Sequence, residues 1–234
     1  MNTFRMSFLA IGAGITMVAT AAPALAVGTT ATKIPVLKSA STAGYISEKR
    51  GIKSVSTVFE VPKIIDCTAS ENAGMGPVVI LVGSGYFVGA GAEAECQDGT
   101  LTYMVAINHN GSETHPLTVA AKDEISVDIT IESKTVLVKI EDLTTKQKTS
   151  QSLPKGKISA AELGDDSLTQ DNHQVPIPKF TSHQFTDVKI NGKALKDAAP
   201  LLDEELVRGK TVLIKAGRIS KAGDSFVMYF VHAT

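Results

Sequence analysis

From Ile125 to Glu132 the chain reads Ile-Ser-Val-Asp-Ile-Thr-Ile-Glu, apolar at every odd position and polar at every even one. A period of two means a strand with one buried face, so Ile125, Val127, Ile129 and Ile131 should point inward, and Asp128 and Thr130 toward solvent or a cleft. Ser133-Lys134 then turns the chain, and Val136, Val138 and Ile140 repeat the alternation, which predicts a hairpin. A second hairpin is signalled by Asn191-Gly192, between Val188-Lys189-Ile190 and Lys193-Ala194-Leu195. Asn-Gly supplies the positive φ angles of a type I′ turn.

Further segments rich in Val, Ile, Thr, Tyr and Phe predict strands over 54–61, 77–82 and 101–107, with a last pair over 211–215 and 225–231. Only residues 198–207 read as helical, with Asp203, Glu204 and Glu205 on an exposed side. Many short strands, frequent turn signals and almost no helix define an all-β fold, a sandwich or barrel.

The amino-terminal residues have the layout of a secretory signal: Arg5, an apolar run from Phe8 to Val18, and small residues ending in Ala24-Leu25-Ala26. Residues 1–26 are therefore expected to be removed, 27–40 to form a flexible leader, and 41–234 to fold as a single β-sandwich domain. The apolar run is shorter than the roughly 20 residues of a membrane span. The expected product is secreted or extracytoplasmic, a monomer with no membrane attachment after cleavage. A formal charge of −1 gives no reason to expect a nucleic-acid partner.

Both cysteines, Cys67 and Cys96, lie in the exported part, where a disulfide can form; two free buried thiols are the alternative. The glycine-rich stretch from Gly83 to Gly91 lacks the following helix and βαβ setting of a dinucleotide loop. Ser84 is not in a Gly-x-Ser-x-Gly elbow, because Val82 stands at the first position. The five histidines, His109, His115, His173, His183 and His232, show no zinc-helix spacing and read as scattered polar residues. No metal and no cofactor are expected. Asn110-Gly111-Ser112 is a glycosylation sequon or simply a turn.

One ordered series of short segments carries more. It runs Ser41-Thr42-Ala43-Gly44-Tyr45, Val55 to Pro62 ending Val-Pro, Cys67, Gly89 to Cys96, Asp123-Glu124-Ile125-Ser126, Glu141-Asp142-Leu143-Thr144-Thr145-Lys146-Gln147 and Ala161-Glu162. In this order, across residues 41 to about 190, the chain resembles the glutamic endopeptidase (eqolisin) family. The resemblance implies a concanavalin-like sandwich of two antiparallel sheets with a cleft on one concave face. There a Glu carboxylate activates water and later protonates the leaving amine, while a Gln amide positions the water and stabilises the oxyanion.

Carried over by position, Ala161-Glu162-Leu163 falls on the family's Ala-Glu-Trp, which makes Glu162 the candidate catalytic carboxylate. The family's Gln-Ala-Gly falls on Gly89-Ala90-Gly91, so the amide is absent. Family tryptophans fall on Thr42, Phe59 and Ala106, a Glu on Asn108, and Ser84 stands near an Asp-Gly. Glu162 also fits two plainer readings, the end of a Ser159-x-x-Glu162 capping box and an ordinary exposed Glu.

Two functions follow as expectations. One is a glutamic-type acid endopeptidase acting on polypeptide, degenerate or weak, with Gln97, Gln184 or a backbone amide replacing the missing donor. The other is a non-catalytic sandwich binding a peptide, a glycan or a cell-surface partner.

Overall fold

A computed structural model describes residues 5–6, 34–67, 72–170 and 173–232. The strands in chain order are β1 (Arg5–Met6), β2 (Val36–Ser39), β3 (Thr42–Ser47), β4 (Ser54–Glu60), β5 (Ala73–Gly83), β6 (Tyr86–Gln97), β7 (Thr100–His109), β8 (Ser112–Thr118) and β9 (Glu124–Ile131). There follow β10 (Thr135–Asp142), β11 (Lys148–Pro154), β12 (Ala160–Gln170), β13 (His173–Gln174), β14 (His183–Ile190), β15 (Lys193–Ala194), β16 (Leu201–Arg208), β17 (Thr211–Ala216) and β18 (Phe226–Phe230). Among the described residues there is no α-helix, only a 3-10 turn at Leu195–Asp197. No helix among them is long and apolar enough to cross a membrane. The expected signal segment, apart from β1, and most of the expected leader lie outside the described residues.

Strand pairing resolves into two sheets. The first runs β8-β7-β6-β5-β12-β3-β16. The second runs β11-β10-β9-β4-β14-β18-β17-β16. Strand β16 belongs to both: Leu201 to Glu204 pair with β3, and Glu205 to Arg208 pair with β17. All of these pairings are antiparallel, and β2 adds a parallel one along β16, from Asp203↔Val36 to Leu206↔Ser39. Strand β2 thus falls inside the segment 27–40 that the sequence reads as a loose leader, because β16 offers it a free edge, and β1 pairs with β12 through Arg5↔Thr169 and Met6↔Leu168.

The main core lies between the sheets. Ile125, Val127 and Ile129 are fully buried in it and Ile131 packs at its margin, while Asp128 on the opposite face is exposed. The expected β9–β10 hairpin forms with Val136 opposite Ile131. Asn191 and Gly192 take φ of 56° and 72°, joining Ile190 to its partner Lys193. Cys67 and Cys96 are bonded, with Cα atoms 5.5 Å apart. The Asp-Leu-Thr-Thr segment is a structural turn, in which the Asp142 carboxylate accepts from Thr144 N, Thr145 N and Thr145 Oγ1 at 2.8, 3.1 and 2.6 Å.

Two local readings are corrected. The expected helix over 198–207 is strand β16: three neighbouring strands supply its backbone partners, and that pairing overrides the helical propensity of a Leu- and Glu-rich stretch. Ser159 to Glu162 caps no helix, since Ala160 opens β12, an interior strand of the first sheet paired with β5 on one side and β3 on the other.

Candidate functional site

Alternation along β12 sorts its residues onto two faces. Ala161 and Leu163 enter the main core, whereas Glu162, Gly164, Asp166 and Leu168 lie on the outer face of the first sheet. The same rule places Ile46, Gly44 and Thr42 of β3 on that face, with Ile80 and Val78 of β5 and Gly89, Gly91 and Glu93 of β6. Ala106 and Asn108 of β7 complete it.

Register then arranges these residues in rows crossing the strands. The first row is Ile46, Glu162, Ile80, Gly89, Asn108 and Glu113. The second is Glu204, Gly44, Gly164, Val78, Gly91 and Ala106. The third contains Thr42, Asp166, Gly76 and, beyond it, Glu93 opposite Met104. Gly44, Gly164 and Gly91 keep the middle row low, interrupted by the buried Val78, so acidic groups on both sides border a shallow groove. Its glycines are required, because a Cβ on Gly164 would stand 1.9 Å from the Ala43 carbonyl oxygen and one on Gly91 2.1 Å from that of Pro77.

Glu162 is partly buried, in a small cleft whose lining includes Thr42, Tyr45, Ile80 and Glu204. Burial pushes its carboxyl up to about 8, and the charge of Glu204 adds to the rise. Glu204 is itself raised by burial, and it accepts a hydrogen bond from Thr42 Oγ1 at 2.6 Å. Asp166 is fully buried, neither carboxylate oxygen has a side-chain partner, and burial together with Glu162 and Glu93 raises it well above the ordinary range.

At the other end of the groove β8 bulges. Val105 pairs with Leu117 and Ile107 with Thr114, which leaves His115 and Pro116 opposite Ala106 alone. The bulge aims His115 over the face, where Nε2 lies 3.1 Å from Glu93 Oε2 and 3.3 Å from Glu113 Oε1. These two carboxylates lift His115 to about 10, while burial holds Glu93 at about 8 despite the imidazole. His115 is therefore no scattered polar residue. The sequence reading missed Glu93, Glu113, Asp166 and Glu204 as well; the one visible signal was Glu93-Ala94-Glu95, which puts two acids on one strand face beside Gly89 and Gly91.

Gly89 does share a row with Glu162, with only Ile80 between them. Neither proposed substitute donor joins them. Gln97 is at the far end of β6 against Thr100, and Gln184 is exposed on β14 in the second sheet. The amide on the row is Asn108, beside Gly89, whose Nδ2 donates to Glu113 Oε2 at 2.9 Å. Of the positions matched to family tryptophans, Thr42 and Ala106 face the groove, but Phe59 is buried in the main core against Phe185. Ser84 is exposed in the β5–β6 turn, so the glycine-rich stretch is a hairpin.

Comparison with known proteins adds a family. The model of the Peptidase A4 family matches residues 40–216. Scytalido-glutamic peptidase, solved with a transition state analog inhibitor, superposes with a TM-score of 0.69 at 19% identity, over 82% of this chain and 98% of that one. SCP-B, a member of the eqolisin family solved with the tripeptide Ala-Ile-His, gives 0.65 at 18% identity, over 82% and 98%. Aspergilloglutamic peptidase from Aspergillus niger gives 0.56 at 18% identity, over 68% of this chain and 99% of that one. No curated protein sequence matches the chain.

Proposed function

The chain belongs to the Peptidase A4 family, and from that premise we propose that it is an exported, weakly active glutamic-type peptidase in which Glu162 moves the proton and no side-chain amide stands at Gly89. The position of Glu162 carries this reading: a carboxyl raised to about 8, lining a small cleft beside the glycines of the next row, on an interior strand of the sheet. Such a group can take a proton from water and return it to a leaving amine. Polypeptide is the substrate class.

Loss of one oxyanion donor costs about 10²- to 10³-fold in rate, which supports a weak rather than efficient enzyme. The raised carboxyl also moves the working pH. As a base Glu162 must be ionised, so hydrolysis should climb from acid pH toward about 8 instead of peaking at pH about 3 to 5.

The test is hydrolysis of a denatured protein by the mature chain between about pH 3 and 9, compared with Glu162→Gln and Gly89→Gln. Slow wild-type turnover, lost in Glu162→Gln and raised in Gly89→Gln, is the expected result. Turnover that survives Glu162→Gln would remove the assignment.

A second reading rests on a separate observation. Val78, Ile80, Ala106, Leu168 and Val175 form a buried apolar cluster on the same outer face, so part of the groove is filled. That supports a non-catalytic sandwich binding a peptide, and a chain inactive in all three forms would place it first.

A further inference from the structure

The most unusual grouping on the outer face is at the end of the groove away from Glu204. His115 Nε2 faces two carboxylate oxygens, Glu93 Oε2 at 3.1 Å and Glu113 Oε1 at 3.3 Å, and it can carry one proton at most. Glu93 is fully buried, and its other oxygen, Oε1, has no hydrogen-bond partner. Asp166, also fully buried and without a side-chain partner, pairs across the sheet with Gly76, and the charge of Glu93 adds to the rise of its carboxyl. Two carboxylates thus converge on one imidazole, with a buried oxygen of Glu93 left over and His115 at the open side of the site. A buried polar oxygen without a hydrogen-bond partner, as Glu93 Oε1 is, is the kind of group that a bound cation can satisfy.

We infer that Glu93, Glu113 and His115 form a binding site for a single divalent transition cation of the zinc class. The ligand atoms of the three residues all lie within 4.8 Å of one another. Zinc bonds of about 2.0 to 2.2 Å in tetrahedral geometry hold neighbouring ligand atoms roughly 3.3 to 3.6 Å apart, close to the two separations around Nε2. Imidazole and carboxylate together suit zinc better than calcium or magnesium, which prefer oxygen alone. Three protein ligands leave the fourth position for water.

Supporting features surround the three residues. Asn108 Nδ2 donates to Glu113 Oε2 at 2.9 Å and so fixes that carboxylate from behind, as outer-sphere partners of metal ligands do. The bulge that aims His115 is the device by which a strand redirects a side chain next to a site. An entry path exists as well, because His115 is on the wall of a cavity of about 480 Å³ bounded by Leu101, Met104, Leu117 and Ala120, and its side chain keeps 28% of its surface exposed.

The experiment is calorimetric titration of the metal-free mature protein with zinc chloride near neutral pH, with metal content checked by elemental analysis. One zinc per chain is expected. His115→Ala and Glu113→Gln, both changes at the open side of the site, should weaken binding by about tenfold or more, and His173→Ala should leave it unchanged. Glu93→Gln keeps the shape of the buried side chain and should act like the first two. No saturable zinc uptake by the wild type, or uptake undiminished in both His115→Ala and Glu113→Gln, would overturn the assignment.

Discussion

Asp165 Oδ1 and His183 Nε2 meet at 2.9 Å, both side chains fully out of solvent, and they join β12 of the first sheet to β14 of the second through the core. Asp165 is the inward neighbour of Gly164 and Asp166, so the pair braces the groove floor from behind. Phe180 and Phe185 pack beside the imidazole, with ring centroids 5.8 and 6.0 Å away.

Removing one member strands the other in the core, at a typical cost of about 3 to 5 kcal/mol. His183→Ala should show that loss in guanidinium unfolding. The double change Asp165→Leu with His183→Phe should cost clearly less, because no unpaired polar group remains. Equal losses in the two proteins would mean that packing, not the polar contact, holds this place.

The alternation in β9 gives a paired test. Ile129 is fully buried and Asp128 exposed. Ile129→Asp should destabilise the domain by several kcal/mol, while Asp128→Ala should stay within about 0.5 kcal/mol. Comparable unfolding midpoints for the two variants would show the register to be wrong.

The disulfide spans a sequence separation of 29. In the chain-entropy model a loop of that size is worth about 3 to 4 kcal/mol. The Cys67→Ala, Cys96→Ala double variant should fall by about that amount relative to the oxidised protein. A difference under about 1 kcal/mol would show that the covalent link barely restricts the unfolded chain.

Glu162 gives a pH prediction with a definite sign. Its folded-state carboxyl titrates at about 8 against an ordinary 4.5, so the native state holds a proton that the unfolded chain releases earlier. Stability therefore falls as pH rises from about 4.5 and levels off above about 8. Glu162→Gln should match the wild type below that window and exceed it by about 2 to 4 kcal/mol above it. A constant difference across pH, measured by thermal or denaturant unfolding, would show that the carboxyl is not held protonated.

How much of this was legible in the sequence depended on the range of the interaction. Ile125 to Ile131 announces itself by alternation, and Asn191-Gly192 by the φ angles only such residues adopt cheaply, because both signals are local. Strands β6 and β12 escaped for the opposite reason. Gly91 is small because the Pro77 backbone lies close above it, and Asp165 and Asp166 are polar on both faces of one strand. Such residues erase the alternation that marks a strand. Glu162 is a candidate through family resemblance alone, whereas Glu93, Glu113 and His115 come together only when β6 and β8 flank β7 and β8 bulges. Nothing in their spacing announces that.

Strand β16 passes from one sheet to the other at consecutive residues, Glu204 pairing with β3 and Glu205 with β17, with a bulge only beyond that point, between Leu206 and Val207. The two layers are therefore pages bound along one spine, and along that side they cannot part without breaking backbone pairs. At the opposite margin β8 and β11 touch through little more than Thr114 Oγ1 and Gln151 Oε1, at 3.3 Å. Breathing of the molecule is thus directed to the fore-edge, where β8 carries Glu113 and His115. Amides of β16 should be among the slowest to exchange with deuterium and those of β8 among the fastest, so the groove is anchored at its Glu204 end and adjustable at its histidine end.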